Sequence, residues 1–288
     1  MKLIDCKPIR AAILEEAKAG VEKIFADYDK KLKLVVVQVE GDSASDVYVR
    51  NKLKTAEQVG IECEHIKLPS DASYSQVEEV LIHHAIDSNT TGLMLQLPLP
   101  DHLKKHQQKL LDLIPYFKDV DGLSTTSVGR LWSDQPCLVP CTAAGIMRIL
   151  PEDLNGYKVC IINRSALIGK PLAKLILSKN GTPVVCHSKT QNLLLEASYS
   201  DILVTAMGQP KKIDYDGWLD HLTIIDAAIC RDENGKLCGD IDIETFEDSN
   251  CEITSVPGGV GLLTTSQLML NVVKAFYLQQ GYEQLSTF

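Results

Sequence analysis

The run Leu34-Val-Val-Val-Gln-Val39 constrains this chain more than any other stretch. It is nearly all β-branched and lacks the apolar–polar alternation of a strand that faces water, so it reads as a strand buried on both faces. Such strands belong to parallel sheets covered by helices, and the flanking patterns agree. Over residues 9–25, Ile9, Ile13, Ala17, Val21 and Ile24 recur at helical spacing. After the strand, a second helical pattern runs through Leu53, Ala56 and Val59 and stops at Gly60. Residues 63–68 read as another strand, and 74–86 as a helix with Val77, Val80, Leu81 and Ala85 inward. Residues 91–96 form a third strand, ended by Leu97-Pro98-Leu99-Pro100. Strand–helix alternation with short links predicts right-handed parallel βαβ units, hence an α/β fold.

At 288 residues the chain has room for two ordinary domains, and 45% apolar with 23% charged residues is the balance of a globular protein. A net charge of −9 with no dense Lys/Arg patch argues against nucleic acid or an anionic membrane as partner. No apolar run is long enough to span a bilayer. The opening residues carry charges and Pro8 where a signal peptide needs an apolar run, so a cytoplasmic location is expected. Nine Cys without Cys-x-x-Cys spacing indicate neither a disulfide framework nor a zinc site, and no metal is expected.

Candidate chemistry collects where strands end. In Ser45-Asp-Val-Tyr48-Val-Arg-Asn-Lys52, Tyr48 and Lys52 are four apart and share one helix face. The helix follows a strand whose carboxyl end is the side on which open α/β sheets bind ligands. A Lys among apolar walls can serve as an acid or base near neutral pH; the spacing alone equally allows a solvated helix Lys and a partly buried ring. Pro98 and Pro100 stiffen the chain after Gln96, whose amide could bond a substrate or hold Lys52, or have no role. Lys118-Asp-Val-Asp121-Gly122 suits a tight turn that presents Asp121 to a donor-rich ligand, although a plain Asp-Gly turn has the same sequence.

A second unit opens near Pro140-Cys-Thr142, with Thr142 placed to cap a helix over 143–149. A strand over 157–162 leads into Asn163-Arg164-Ser165 and Gly169-Lys-Pro171, then a helix over 172–177. Strand, polar turn and helix is the order that seats a phosphate at a helix N-terminus, although only Gly169 of the usual dinucleotide glycines is present. Residues 183–186 form the next strand and end in His187-Ser188-Lys189. A polar or basic group there suits a ribose 2′-phosphate better than the acid of an NAD binder. Residues 201–206 and 223–226 supply two more strands. Ser255-Val-Pro257-Gly258-Gly259-Val260-Gly261 then precedes a helix over 264–276, expected to return to the first domain.

Taken in order, Tyr48-x-x-x-Lys52, Gln96-Leu-Pro-Leu-Pro100, Asp119-Val-Asp-Gly122, Pro140-Cys-Thr142, Arg164-Ser165 with Gly169-Lys-Pro171, Cys186-His-Ser188 and Pro257-Gly-Gly-Val-Gly261 resemble the bifunctional methylenetetrahydrofolate dehydrogenase/methenyltetrahydrofolate cyclohydrolase family over nearly the whole chain. The resemblance implies a two-domain α/β homodimer with a cleft between the domains. The folate domain would span 1–139, completed by a C-terminal helix at 265–288, and a Rossmann-like NAD(P) domain would span 140–264. It implies oxidation of 5,10-methylenetetrahydrofolate with NADP, then hydrolysis of the methenyl product to 10-formyltetrahydrofolate. Lys52 would be the general acid/base, Gln96 would orient it, Tyr48 would stack on the aminobenzoyl ring, and Asp121 would accept from the pterin. Val49, Leu95, Leu97 and the segment Pro257, Gly258, Gly259, Val260 and Gly261 would line the folate. Asn163, Arg164, Ser165, His187, Ser188 and Ile229 would hold the cofactor.

Departures from the family pattern gather in the cofactor half. Asn163-Arg164-Ser165 replaces Gly-Arg-Ser, and Asp226-Ala227-Ala228-Ile229-Cys230 replaces Asp-Val-Gly-Ile-Asn. Thr142 is followed by Ala143 rather than Pro, and Leu262-Leu263-Thr264 stands for Pro-Met-Thr. Asn163 tolerates a left-handed backbone but adds bulk beside a pyrophosphate, and Ala228 adds a methyl near the nicotinamide. Two alternatives therefore stand beside the bifunctional enzyme: a cyclohydrolase with weak, lost or NAD-shifted dehydrogenase activity, and a non-catalytic folate- or nucleotide-binding regulator.

Overall fold

The computed structural model describes residues 1–41, 43–215 and 219–282, without the side chains of 43, 44, 45, 47 and 194. The side chains of Ser45 and Val47, and residues 283–288 of the last segment, thus lie outside the described residues. In chain order the strands are β1 (Lys2–Ile4), β2 (Lys33–Val39), β3 (Glu62–Leu68), β4 (Gly92–Leu95), β5 (Lys158–Ile162), β6 (Thr182–Cys186), β7 (Ile202–Thr205), β8 (Thr223–Asp226), β9 (Cys230–Arg231), β10 (Leu237–Cys238) and β11 (Glu252–Thr254). The helices are α1 (Lys7–Tyr28), α2 (Ser43–Val59), α3 (Tyr74–Ile86), α4 (Asp101–Lys104), α5 (Gln107–Leu111), α6 (Thr125–Trp132), α7 (Cys141–Met147), α8 (Gly169–Ser178), α9 (Leu193–Ser198) and α10 (Val260–Gln279).

The chain divides into two compact units. One joins Ile13–Cys141 with Thr265–Phe288 and holds Lys52; the other joins Met1–Ala12 with Thr142–Thr264 and holds Arg164. Residues 1–12 thus group with the Arg164 unit, whereas the sequence reading placed them with 13–139. The cause is β1, which pairs in parallel with β11 through Lys2↔Glu252, Leu3↔Ile253 and Ile4↔Thr254. A strand of three residues carries no readable period, so only its pairing shows where it belongs.

In the Lys52 unit the parallel sheet runs β3-β2-β4, with β2 in the centre. Val35, Val37 and Val39 of β2 and Leu93 and Leu95 of β4 pack on Val77, Leu81, Leu103, Leu110 and Ile114. The chain passes from β2 through α2 to β3 on one side, and then from β3 through α3 back across β2 to β4 on the other. Winding therefore reverses at the carboxyl end of β2, the position where such sheets open a crevice. A parallel bridge between Leu93 and Asp119 extends the sheet past β4 toward Asp121.

Two buried charges hold that extension in place. Lys118 Nζ donates to the carbonyls of His84 at 3.3 Å, Ala85 at 2.9 Å and Asp87 at 2.7 Å, closing the C-terminal end of α3. Asp119 accepts from Ser124 N at 2.8 Å and Ser127 Oγ at 2.7 Å, which ties it to the start of α6. Burial lowers the proton affinity of the Lys118 amine and raises that of the Asp119 carboxyl.

The Arg164 unit contains a parallel sheet in the order β1-β11-β8-β7-β5-β6. One face buries Cys160, Ile162, Leu203, Ile224 and Ile253 with Leu219 and Phe246. Val159, Ile161 and Val204, at alternate positions, are also fully buried, so both faces are covered. β5 has β6 on one side and β7 on the other, which makes its carboxyl end a second reversal point. Pro183 lies in β6, an edge strand, where a missing backbone donor is tolerated.

Several boundaries differ from the sequence reading. α7 starts at Cys141, so Thr142 lies inside the helix rather than capping it, and its Oγ1 sits 3.3 Å from Thr264 Oγ1. α8 begins at Gly169 and takes Pro171 into its first turn, where Pro removes no helical hydrogen bond. α10 begins at Val260, so Val260 and Gly261 are helical rather than part of the glycine loop. The antiparallel pair β9–β10 was passed over, although Asn234-Gly235 between two short apolar runs is a hairpin signal.

Gly122 follows Asp121 with φ +63°, and a Cβ there would meet Leu138 O at 2.6 Å and Pro140 Cδ at 2.9 Å. Gly122→Ala combines left-handed strain with a backbone clash and should cost about 2 kcal/mol or more. Urea unfolding followed by circular dichroism measures this; an unchanged midpoint would show that the 138–140 segment yields freely.

Candidate active site

α2 carries Lys52 over the sheet face opposite the one that presents Val35, Val37 and Leu95. Lys52 Nζ donates to Gln96 Oε1 at 2.7 Å and lies 3.7 Å from Met94 Sδ. Met94 and Gln96 are two apart at the end of β4 and point to the same side. The Gln96 amide has one usable orientation, because its Nε2 donates to Leu97 O at 2.6 Å and leaves Oε1 facing the ammonium. Gln96 N in turn donates to Val37 O at 2.8 Å, which extends the sheet ladder to the residue that holds Lys52.

Tyr48 lies one turn before Lys52 on α2 and is 38% exposed. Asp121 is half-buried, with its Oδ1 3.7 Å from the Cys141 thiol. Lys52 and Asp121 act on that thiol in opposite senses, which places both charges around it, but burial is the larger influence and keeps it protonated. Lys52, Gln96 and Asp121 thus share one carboxyl edge. Val49 and Leu95 are each 1% exposed, so neither is open to a ligand; Leu97 is half-buried.

A polar group that sequence reasoning missed anchors the start of α2. Gln38, 1% exposed, donates to Asp46 Oδ1 at 3.0 Å and pairs with His65 Nε2 at 2.8 Å. Lys67 adds ion pairs to Glu40 at 3.0 Å and to Asp46 at 3.5 Å. The Gln38 bond, with help from Lys67, holds the Asp46 carboxyl below its ordinary range. The available signal was Gln38 itself, a polar residue inside an otherwise β-branched run.

In the Arg164 unit the corresponding edge is built from loops that follow β5, β6, β7, β8 and β11. Asn163 Oδ1 accepts from Ser165 N at 2.7 Å and Gly169 N at 3.1 Å, and its Nδ2 donates to Ala206 O at 2.6 Å. Asn163 is absent from the residues with positive φ, so the left-handed tolerance expected of it is not used. Its amide instead closes the turn and ties it to the end of β7. A Cβ at Gly169 would run into the Asn163 carbonyl, so the turn admits only Gly there.

This construction leaves Arg164 exposed and Ser165 half-buried at the reversal point. After β6, His187 N donates to Thr190 Oγ1 at 2.9 Å and Thr190 N returns to His187 O at 2.8 Å. That turn leaves Ser188 and Lys189 exposed. Ile229 is 45% exposed after β8, while Ala228 is 4% exposed. Pro257 is exposed, Gly258 is half-buried with φ +104°, and Gly259 packs on the Ser255 carbonyl.

Two acids beneath this edge were also missed as a pair. Asp240 accepts from Thr205 Oγ1 at 2.6 Å, Met207 N at 2.6 Å and Gln209 N at 2.8 Å, shaping the loop after β7. Asp226 accepts from Ala228 N at 3.0 Å and Ile241 N at 2.9 Å, shaping the loop after β8. Burial, opposed by these backbone donors and reinforced by Asp240, pushes the Asp226 carboxyl up to about 6. Among the described residues, no group of three or more His, Cys, Asp or Glu could hold a metal, and no helix is long and apolar enough to cross a membrane.

Residues 4–121 match the family model described as tetrahydrofolate dehydrogenase/cyclohydrolase, catalytic domain. Residues 140–280 match its companion, described as the NAD(P)-binding domain. The chain is 37% identical over 278 residues to the bifunctional protein FolD of Lactococcus lactis subsp. lactis, covering 96% of this chain and 97% of that one. Its structure is similar, at a TM-score of 0.91 and 33% identity, to the crystal structure of the bifunctional enzyme FolD, methylenetetrahydrofolate dehydrogenase/cyclohydrolase, from Campylobacter jejuni, covering 97% of this chain and 99% of that one. The Trypanosoma brucei methylenetetrahydrofolate dehydrogenase-cyclohydrolase, complexed with NADP cofactor and inhibitor, is similar at a TM-score of 0.88 and 29% identity, covering 96% and 98%.

The raised Asp226 carboxyl makes stability depend on pH. Its folded value of about 6 exceeds the ordinary 3.8, so the folded state binds the proton more tightly. That stabilisation is complete below the unfolded value and is lost as pH rises through about 6, on the order of 3 kcal/mol in total. Urea midpoints between pH 4.5 and 7.5 should therefore fall with a component that Asp226→Asn removes. An identical slope in the variant would assign the titration to another group.

Proposed function

The chain belongs to the tetrahydrofolate dehydrogenase/cyclohydrolase family, and from that premise we propose that it oxidises 5,10-methylenetetrahydrofolate with NADP and hydrolyses the methenyl product to 10-formyltetrahydrofolate. The observation that carries the reading is the ammonium of Lys52, held 2.7 Å from an amide that its own hydrogen bond has oriented. As the neutral amine, a Lys so held can take a proton from the water that attacks the methenyl carbon, and the ammonium this forms can return that proton to the ring nitrogen as the ring opens. Gln96 keeps Nζ aimed during both transfers. Tyr48 offers its ring face to the aminobenzoyl group, and Asp121 accepts from the donors of the pterin.

The cofactor, when bound, accepts the hydride that leaves the methylene carbon. The residues at the Arg164 edge fit a polyphosphate carrying a 2′-phosphate: an exposed guanidinium, the hydroxyls of Ser165 and Ser188, and no carboxylate at 187–189. His187 and Ile229 complete that edge as we assign it. The cofactor domain is assigned to 140–264 together with β1, and the folate domain to the Lys52 unit. The reading includes a cytoplasmic location and a homodimer, of which the homodimer rests on family likeness alone.

The first test is methenyltetrahydrofolate formation from the methylene substrate, followed by absorbance after an acid quench and run separately with NADP and NAD. Turnover with NADP supports the assignment, and turnover with NAD alone overturns the roles given to Arg164 and Ser188. Lys52→Met should lower hydrolysis of supplied methenyltetrahydrofolate by ~100-fold or more, the scale of a lost general acid/base. Unchanged hydrolysis in that variant would remove Lys52 from the mechanism.

A further inference from the structure

The role given to Asp121 requires its carboxylate to be aimed. We propose that Asn271, on α10, is the positioning residue that sets Asp121 in the folate site; the proposal rests on the functional reading above. Asn271 is completely buried in an otherwise apolar stretch of helix. Its Nδ2 donates to Val120 O at 2.8 Å and to Val139 O at 2.9 Å. Both N–H groups are thus committed, and Gln267 Nε2, one turn earlier, faces Asn271 Oδ1 at 3.4 Å and orients the amide.

The two carbonyls are not equivalent in consequence. Val120 O belongs to the peptide plane shared with Asp121, so fixing it fixes the direction in which the Asp121 side chain departs. Val139 O belongs to the segment whose Leu138 carbonyl and Pro140 ring wall in Gly122, the residue after Asp121. Asn271 therefore holds Asp121 from the residue before and, through the 138–140 segment, from the residue after. The Cys141 thiol completes the arrangement: it donates to Val120 O at 3.4 Å, and Asn271 Nδ2 lies 3.5 Å from its sulfur. Asn271 touches no group assigned to the chemistry, so its contribution is to place Asp121 for the pterin.

The test measures KM for the folate substrate in both reactions, KM for NADP, and the pH profile of the hydrolysis, in the full-length enzyme. Asn271→Leu keeps the side-chain size and removes both donors; folate KM should rise ~10-fold in both reactions, the scale of one or two lost buried hydrogen bonds. NADP KM and the pH profile governed by Lys52 should not move. A loss of stability alone would lower the active fraction and leave both KM values unchanged, and that result overturns the proposal. If Asn271→Leu does not fold, Asn271→Ser, which keeps one donor, is read in the same way and should give a smaller rise. Absence of turnover by the unaltered enzyme would instead overturn the functional reading, so the two failures are distinct.

Discussion

The hydrogen bond from Lys52 to Gln96 exists because β2, β3 and β4 run in parallel and end on the same side, beneath α2. Parallel strands buried on both faces can present polar side chains only near their ends or under a helix that covers them. β4 does so at Met94 and Gln96, and the sheet ladder continues to Gln96 through Val37 O. A shift of one residue in that ladder would turn Gln96 into the apolar core in place of Leu95 and leave the Lys52 ammonium without its acceptor. The register of a three-stranded sheet thus decides whether the site can form.

Buried polar residues carry most of the remaining precision. Lys118 closes α3, Asp119 ties the next turn to α6, and Asn271 fastens Val120 and Val139 to α10. In the Arg164 unit, Asn163, Asp226 and Asp240 do the same for the loops after β5, β7 and β8. Each is a side chain spending its hydrogen bonds on backbone groups that would otherwise be buried and unpaired. The side chains that we assign to ligands, such as Tyr48, Arg164 and Ser188, are by contrast exposed.

Asn163 shows how a departure from a family pattern takes its meaning from its partners. As a replacement for Gly it implied tolerance of a left-handed backbone together with added bulk beside a pyrophosphate. Its amide instead accepts two backbone N–H groups inside the turn and donates to the end of β7. Ala228 is a similar case, since its backbone N–H is bound by Asp226 and its methyl is buried. Neither outcome follows from residue type, because both depend on partners in other strands.

From its amino acids alone this chain determines two sets of parallel βαβ units, the helix face shared by Tyr48 and Lys52, and the polar turns after Ile162 and Cys186. Those features are local, set by apolar period and by where Gly and Pro interrupt it. Gln38 and Asn271 were legible only as polar residues in apolar runs, without their partners. The tertiary structure decided what is non-local: that β1 joins the sheet of the Arg164 unit, that Thr142 lies inside a helix, and that Asn271 reaches Val120 and Val139. Contacts between residues more than a hundred positions apart leave no period in the chain, so folding must bring them together before they can be read.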